Sequence, residues 1–324
     1  MSRPHVCIVT PALAEANNGN WQTAQRWARM LAHDYRVQLV DRWQGQAGDP
    51  AAVMVALHAR RSADSIARWA RQRPGQPLVV VLTGTDLYRD IHNDADAQHS
   101  LDVANRLIVL HEHAVLDLPA QHRSKTVSCF QSTPARAPWP KTQRHLRALM
   151  VGHLREEKSP QTYFDAARLL QQRPDIWLDH IGAPLDPELG RAAQAVQRNC
   201  PQYRWLGALP HAATRQRIQR AHVLVHPSRM EGGAHVVMEA VRSGTPVLAS
   251  RIAGNVGMLG VDYGGYFEPG DAKGLSQLLQ RCRDEPPILQ ALSQQCQARS
   301  PLFEPARERA TLLTLLADLL ETDS

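Results

Sequence analysis

The chain has 324 residues, a length that suggests two domains. Apolar residues make up 43% and charged residues 21%, which excludes a disordered chain, and no apolar run approaches the roughly 18–20 residues of a membrane span. Lys and Arg exceed Asp and Glu by six, an excess that suits solubility or an anionic ligand, while the spread of the basic residues excludes a basic nucleic-acid face.

Short β-branched runs read as buried parallel strands at 5–10, 35–40, 52–57, 77–83, 106–111 and 126–130. Between them, 21–33 and 62–73 have helical spacing, so the first half reads as a doubly wound α/β unit. Segment 21–33 carries Trp21, Trp27, Met30 and Leu31 beside Arg26 and Arg29, a pattern shared by a helix on a sheet and a helix on a membrane surface; burial is the favoured reading. The stretch 131–145 holds three prolines and no useful period, and reads as an interdomain linker. The alternation restarts with strands at 147–152, 176–182, 203–209, 222–227 and 245–250, and Ser159-Pro160 reads as an N-cap and first-turn proline. Helices follow at 271–284, 286–299 and 304–321. The expected division is 1–140, 146–300 and a terminal helix 301–324 packing back on the first domain, with ligands in the cleft that two such units would share.

The start, MSRPHVCIVTP, has too short an apolar stretch for a signal peptide, so a cytoplasmic protein without stable membrane association is expected. The five cysteines are scattered, with no CxxC, and none of the fifteen histidines sits in a HExxH frame; neither a disulfide framework nor a metal site is indicated.

The most informative stretch is HPSRMEGGAHVVMEAVRSGTPVLAS, 226–250. A strand ends at His226-Pro227, and a loop follows with Glu231, Gly232 and Gly233. A helix is predicted from about Ala234, whose N-terminal amides suit an anion. Glu239 stands eight residues after Glu231, about 12 Å along a continuous helix, too far for an acid/base pair but suited to two parts of one long ligand. This frame of Pro227, Ser228, Glu231, Gly232, Glu239, Ala240, Gly244, Pro246 and Val247 resembles the donor-binding signature of retaining GT-B glycosyltransferases of the family 4, or group 1, type. VGHLREEKSP, 151–160, resembles the family's V-G-R-L-x-x-E-K-G segment, with Lys158 on the Lys position and His153 where the family has Arg. Arg155 is a possible substitute. RIAGNVGMLG, 251–260, keeps Gly254 but has Gly257 for the usual acid, and GGYFEPGD, 264–271, resembles the family's closing element.

The resemblance implies two Rossmann-like domains facing across a cleft. It implies Glu231 and Lys158 as the catalytic pair, and a donor site of Gly152, His153, Arg155, Lys158, Glu231, Gly232, Gly233, Ala234 and Glu239, with no metal and no cofactor. In the first half, Asn18-Gly19-Asn20 precedes a helix, His58, Arg60 and Arg61 end one strand, and Thr83, Gly84, Thr85 and Asp86 end another; these are the acceptor candidates. With NNGNWQTAQRWARML and TGTDLYRDI added, the motifs resemble a narrower group, the selenosugar synthases of selenoneine biosynthesis. That resemblance implies a UDP-sugar donor, UDP-GlcNAc first, selenophosphate as acceptor, and coupling to enzymes that make selenophosphate and use the selenosugar. The alternatives are an ordinary transferase with a carbohydrate or lipid hydroxyl acceptor, and a non-catalytic nucleotide-sugar sensor.

Overall fold

A computed structural model describes residues 3–11 and 19–321. The chain divides into two compact units, one of residues 1–131 with 305–324 and one of residues 132–304. No described helix is long and apolar enough to cross a membrane.

In the first unit, strands β1 (His5–Val9), β2 (Arg36–Val40), β3 (Ala51–Leu57), β4 (Leu78–Val81), β5 (Arg106–Val109) and β6 (Thr126–Ser128) form one parallel sheet in the order β2-β1-β3-β4-β5-β6. Helices cover both faces, so the strands are continuously apolar rather than alternating. Successive residues serve opposite faces: Cys7 and Val9 pack with Trp69 of the helix Ala63–Gln72, and Val6 and Ile8 with Trp27 of the helix Gly19–Leu31. The helix Gly19–Leu31 buries Thr23, Ala24, Trp27 and Leu31, so the predicted 21–33 segment spends its apolar face on the sheet.

The terminal helix Pro305–Glu321 adds Leu312, Leu315, Leu316 and Leu319 to the Trp27 face. It also brings in Glu308, buried, whose carboxylate accepts from Trp27 Nε1 at 2.6 Å and from Arg26 Nε and Nη2 at 2.9 Å. A buried carboxylate is tolerated when such charge-assisted donors surround it.

The second unit carries β7 (Leu146–Val151), β8 (Ile176–Ile181), β9 (Tyr203–Trp205), β10 (Val223–His226), β11 (Val247–Ser250) and β12 (Tyr266–Phe267), all parallel, in the order β12-β11-β10-β7-β8-β9. The winding runs outward from β7 in one direction and from β10 in the other, so the strand order reverses between them. The stretch expected to be a linker is instead strapped onto this unit. Thr133 N donates to Phe303 O at 3.2 Å and Arg136 N to Arg242 O at 2.8 Å, Arg215 bonds Thr133 Oγ1 and Pro134 O, and Lys141 bonds Gln219 O. The boundary therefore falls between Gln131 and Ser132 rather than at 140–146, because backbone and Arg215 donors claim the proline-rich segment. Ser159 stands at the N-cap of the helix Pro160–Leu169, but in a left-handed conformation (φ 47°), and its hydroxyl meets Thr162 Oγ1 at 2.9 Å instead of a backbone amide.

Replacing Glu308 by Ala should destabilise the protein by about 1.5–3 kcal/mol, the worth of charge-assisted bonds at a buried acid, read as a lower midpoint in denaturant unfolding. An unchanged midpoint would mean that the terminal helix is held by its leucines alone.

Candidate donor and acceptor sites

Open parallel sheets bind ligands outside the carboxyl ends of their strands, where the strand order reverses. In the second unit that place lies after β7 and β10. The loop after β7 carries Gly152 to Lys158, and the loop after β10 carries Glu231 to Ala234. Topology thus brings together two segments that are 73 positions apart in sequence.

Lys158 Nζ donates to Glu231 Oε1 at 2.5 Å. His226 Nε2, at the end of β10, lies 3.3 Å from the same oxygen without reaching good hydrogen-bond geometry. Burial alone would raise the Glu231 pKa; Lys158 and His226 outweigh it and hold the carboxylate well below its usual range. Gly254 fixes the position of this loop. A Cβ there would stand 1.9 Å from Glu231 O, so only glycine lets the helix Ala253–Leu259 back onto it.

The β7 loop is set by a second close approach. A Cβ on Gly182, after β8, would stand 1.9 Å from Gly152 O. That contact brings Ala183 N within 3.0 Å of His153 Nδ1, to which it donates. Nδ1 therefore carries no proton, and the neutral ring presents Nε2–H as its donor. Burial, then Arg155 and Lys158, lowers the His153 pKa, so this residue is a neutral donor rather than a replacement for the cation of the family pattern. Arg155 is half exposed, with Nε 4.0 Å from Glu157 Oε2.

Gly232 and Gly233 make no hydrogen bond through their amides among the described residues. Ala234 departs from expectation: it precedes the helix His235–Val241, and its amide donates to Met258 Sδ at 3.2 Å, so that group is already engaged. Glu231 lies before the helix and Glu239 within it, so the spacing is not one continuous helix. Glu239 is buried. His211 Nε2 meets its Oε1 at 2.6 Å, Arg215 Nη1 approaches the same oxygen at 3.8 Å, and neither contact uses Oε2. The bond to Glu239 raises the His211 pKa against the opposing effect of burial.

In the first unit the order reverses between β1 and β3. Asn18, with the rest of 12–18, lies outside the described residues; Gly19 and Asn20 already belong to the first turn of their helix, so the expected turn there does not include them. After β3, His58 has φ 73°, a left-handed conformation rare outside glycine, and is buried. Its Nε2 meets Thr85 Oγ1 at 3.1 Å and its Nδ1 accepts from Arg61 N at 3.3 Å.

Asp86 does not serve an acceptor as expected. It is wholly buried and accepts from Ala59 N at 2.8 Å, Thr83 N at 2.6 Å and Thr83 Oγ1 at 2.8 Å, so it fastens the ends of β3 and β4 together and consumes Thr83 as well. Burial pushes its pKa up against those bonds and His58. Arg60 is paired, Nε to Asp94 Oδ2 at 2.9 Å, whereas Arg61 is exposed and its guanidinium has no acidic partner among the described residues. The chain's Asp-x-Asp triplet, Asp94-Ala95-Asp96, begins the helix Ala95–Val103. Asp94 caps that helix by accepting from Ala97 N at 2.9 Å, and no group of three or more potential metal ligands occurs among the described residues. No motif in the sequence marks His226, His211 or Arg215 as a site residue. His226 has one local clue, its place as the last residue of the strand before Pro227.

The profile of a family described as glycosyl transferases group 1 matches residues 131–299, more than half of the chain. Among solved structures, sucrose-phosphate synthase from Thermosynechococcus elongatus is similar with a TM-score of 0.80 and 18% identity, over 99% of this chain and 100% of that one. HepE from Anabaena, solved with UDP and glucose, is similar with a TM-score of 0.76 and 14% identity, over 98% of this chain and 100% of that one. TarM from S. aureus is similar with a TM-score of 0.66 and 12% identity over 83% of this chain, which spans 55% of TarM. At these identities the likeness is one of fold.

The depressed pKa of Glu231 makes its contribution to stability complete above the ordinary carboxylate value of about 4.3, with loss only as the pH falls below that towards the folded value. The unfolding free-energy gap between the wild-type protein and Glu231→Gln should therefore be level from pH 8 to about 5 and narrow below about 4. A gap that narrows already between pH 8 and 6 would contradict a carboxylate held ionised.

Proposed function

The chain belongs to the glycosyl transferases group 1 family, with a GT-B class of fold, and from that premise we propose that it transfers a glycosyl group from a UDP-sugar, UDP-GlcNAc first, to selenophosphate. The observation that carries the donor half is the Lys158–Glu231 pair at the strand-order reversal of the second unit. Lys158, the Nε2–H of His153 and the amides of Gly232 and Gly233 are assigned to the diphosphate. Glu239 is assigned to the ribose hydroxyls and Glu231 to the transferred sugar.

As the bond from the anomeric carbon to the diphosphate oxygen breaks, negative charge builds on the leaving group, and these donors stabilise it. His153 supplies a hydrogen bond without a second full charge, which leaves Lys158 as the principal cation. HepE, solved with UDP and glucose over a match of nearly full length, supports the choice of donor.

The acceptor half rests on the motifs at 17–31, 83–91, 151–160 and 226–260, which resemble the selenosugar synthases. Selenium in selenophosphate is already a strong nucleophile, so attack on the anomeric carbon needs no proton removed by a base. The first unit has a matching character at the ends of β3 and β4. Asp86 is locked into the backbone and Arg61 is an exposed cation, so positive charge rather than a free carboxylate is on offer. Arg61 replaces Arg60 as the better anion contact, because Arg60 is engaged by Asp94.

Lys158→Ala and Glu239→Ala should each weaken UDP binding by about 10–100-fold in calorimetry, the worth of a charge-assisted bond. If both bind UDP as the wild-type protein does, the donor assignment fails. Incubation with UDP-GlcNAc and selenophosphate should yield a selenium-containing sugar by mass spectrometry, with UDP release undiminished by EDTA. UDP release that ignores selenophosphate but responds to a hydroxyl acceptor would replace this reading with that of an ordinary transferase. Tight UDP binding with no release under any acceptor would leave a nucleotide-sugar sensor.

A further inference from the structure

His226 ends β10 and is almost wholly buried, yet its Nε2 makes no hydrogen bond of good geometry among the described residues, its nearest polar neighbour being Glu231 Oε1 at 3.3 Å. A buried ring nitrogen without a partner costs free energy, and native structures leave few of them. This one stops 3.3 Å from Glu231 Oε1, the oxygen that Lys158 grips at 2.5 Å.

The two nitrogens differ in freedom. Lys158 stands on a long stem with its side chain 20% exposed, and its ammonium has three donors to distribute. His226 is 2% exposed and held in the strand. Glu231 is itself little exposed, so it relies on its partners to remain charged. A diphosphate bound where the strand order reverses draws Lys158 towards itself and sets a second negative charge near the carboxylate. Without another donor, Glu231 would lose much of its pairing at the moment it is needed beside the sugar.

Resting on the reading that Lys158 receives the diphosphate, we propose that His226 is a positioning residue that takes over Glu231 when Lys158 turns to the donor. The ring closes its Nε2–H onto Glu231 Oε1, which keeps the carboxylate ionised and aimed while the nucleotide is bound. No proton changes hands: the hydrogen stays on Nε2, and only the partner of the carboxylate changes. The contact seen at 3.3 Å is then the resting half of a two-state contact.

Histidine-ring ¹⁵N spectra of the full-length protein read this directly, with the His226 signals identified by their loss in His226→Gln. With saturating UDP, Nε2 should be protonated and shifted as a hydrogen-bond donor. An unprotonated Nε2 in the UDP complex overturns the proposal, since it could not donate. His226→Leu should weaken UDP binding by about tenfold, and His226→Gln, whose amide extends to a similar reach, should restore most of it. A Leu variant that binds UDP like the wild-type protein, beside a Lys158→Ala variant that does not, overturns the role of His226 while leaving the donor site standing. Unchanged binding in Lys158→Ala overturns the donor reading instead. If the Leu variant does not fold, the ring spectra of the wild-type protein decide.

Discussion

Glu231 is a carboxylate with little access to water, and it stays ionised because Lys158 meets it at 2.5 Å. Neither residue could hold the other without the reversal of winding between β7 and β10. Parallel strands are joined by crossovers of one hand, so neighbouring loops diverge wherever the strand order turns back. The gap left there is lined by whatever follows the two strands, here Lys158 and Glu231. Two glycine contacts set the depth of the arrangement, Gly254 against the Glu231 carbonyl and Gly182 against the Gly152 carbonyl.

The first unit uses a buried carboxylate in the opposite way. Asp86 accepts from two backbone amides and one hydroxyl, and the two amides cannot be withdrawn without unravelling the ends of β3 and β4. Its burial raises its pKa, whereas Glu231 is driven down, because a full cation stands beside Glu231 and only dipoles and a neutral histidine surround Asp86. One acid is therefore a fastener between the ends of β3 and β4, beside the left-handed His58. The other is paired with a lysine ammonium that is itself partly exposed.

Two further polar side chains that would pass for surface residues are also fasteners. Glu308 ties the terminal helix to Trp27 and Arg26. Arg215 holds the 131–145 stretch through Thr133 and Pro134, and its remaining reach is towards Glu239. A single guanidinium thus touches both the strap and the residue assigned to the ribose.

The sequence by itself determined the two runs of parallel strands, because β-branched segments covered on both faces are continuously apolar and cannot be mistaken for exposed alternation. It also located Lys158 and Glu231 in the loops that follow strands and Glu239 on the next helix, since local glycine and proline chemistry marks those turns. Only the tertiary structure decided what each of them touches. The bond from His211 to Glu239, the empty Nε2 of His226 above Glu231, and the locking of Asp86 and Ala234 join residues brought together by strand order and helix packing. No local pattern records such a contact, because periodicity fixes which face a side chain takes, while its partner depends on which strands the fold places side by side.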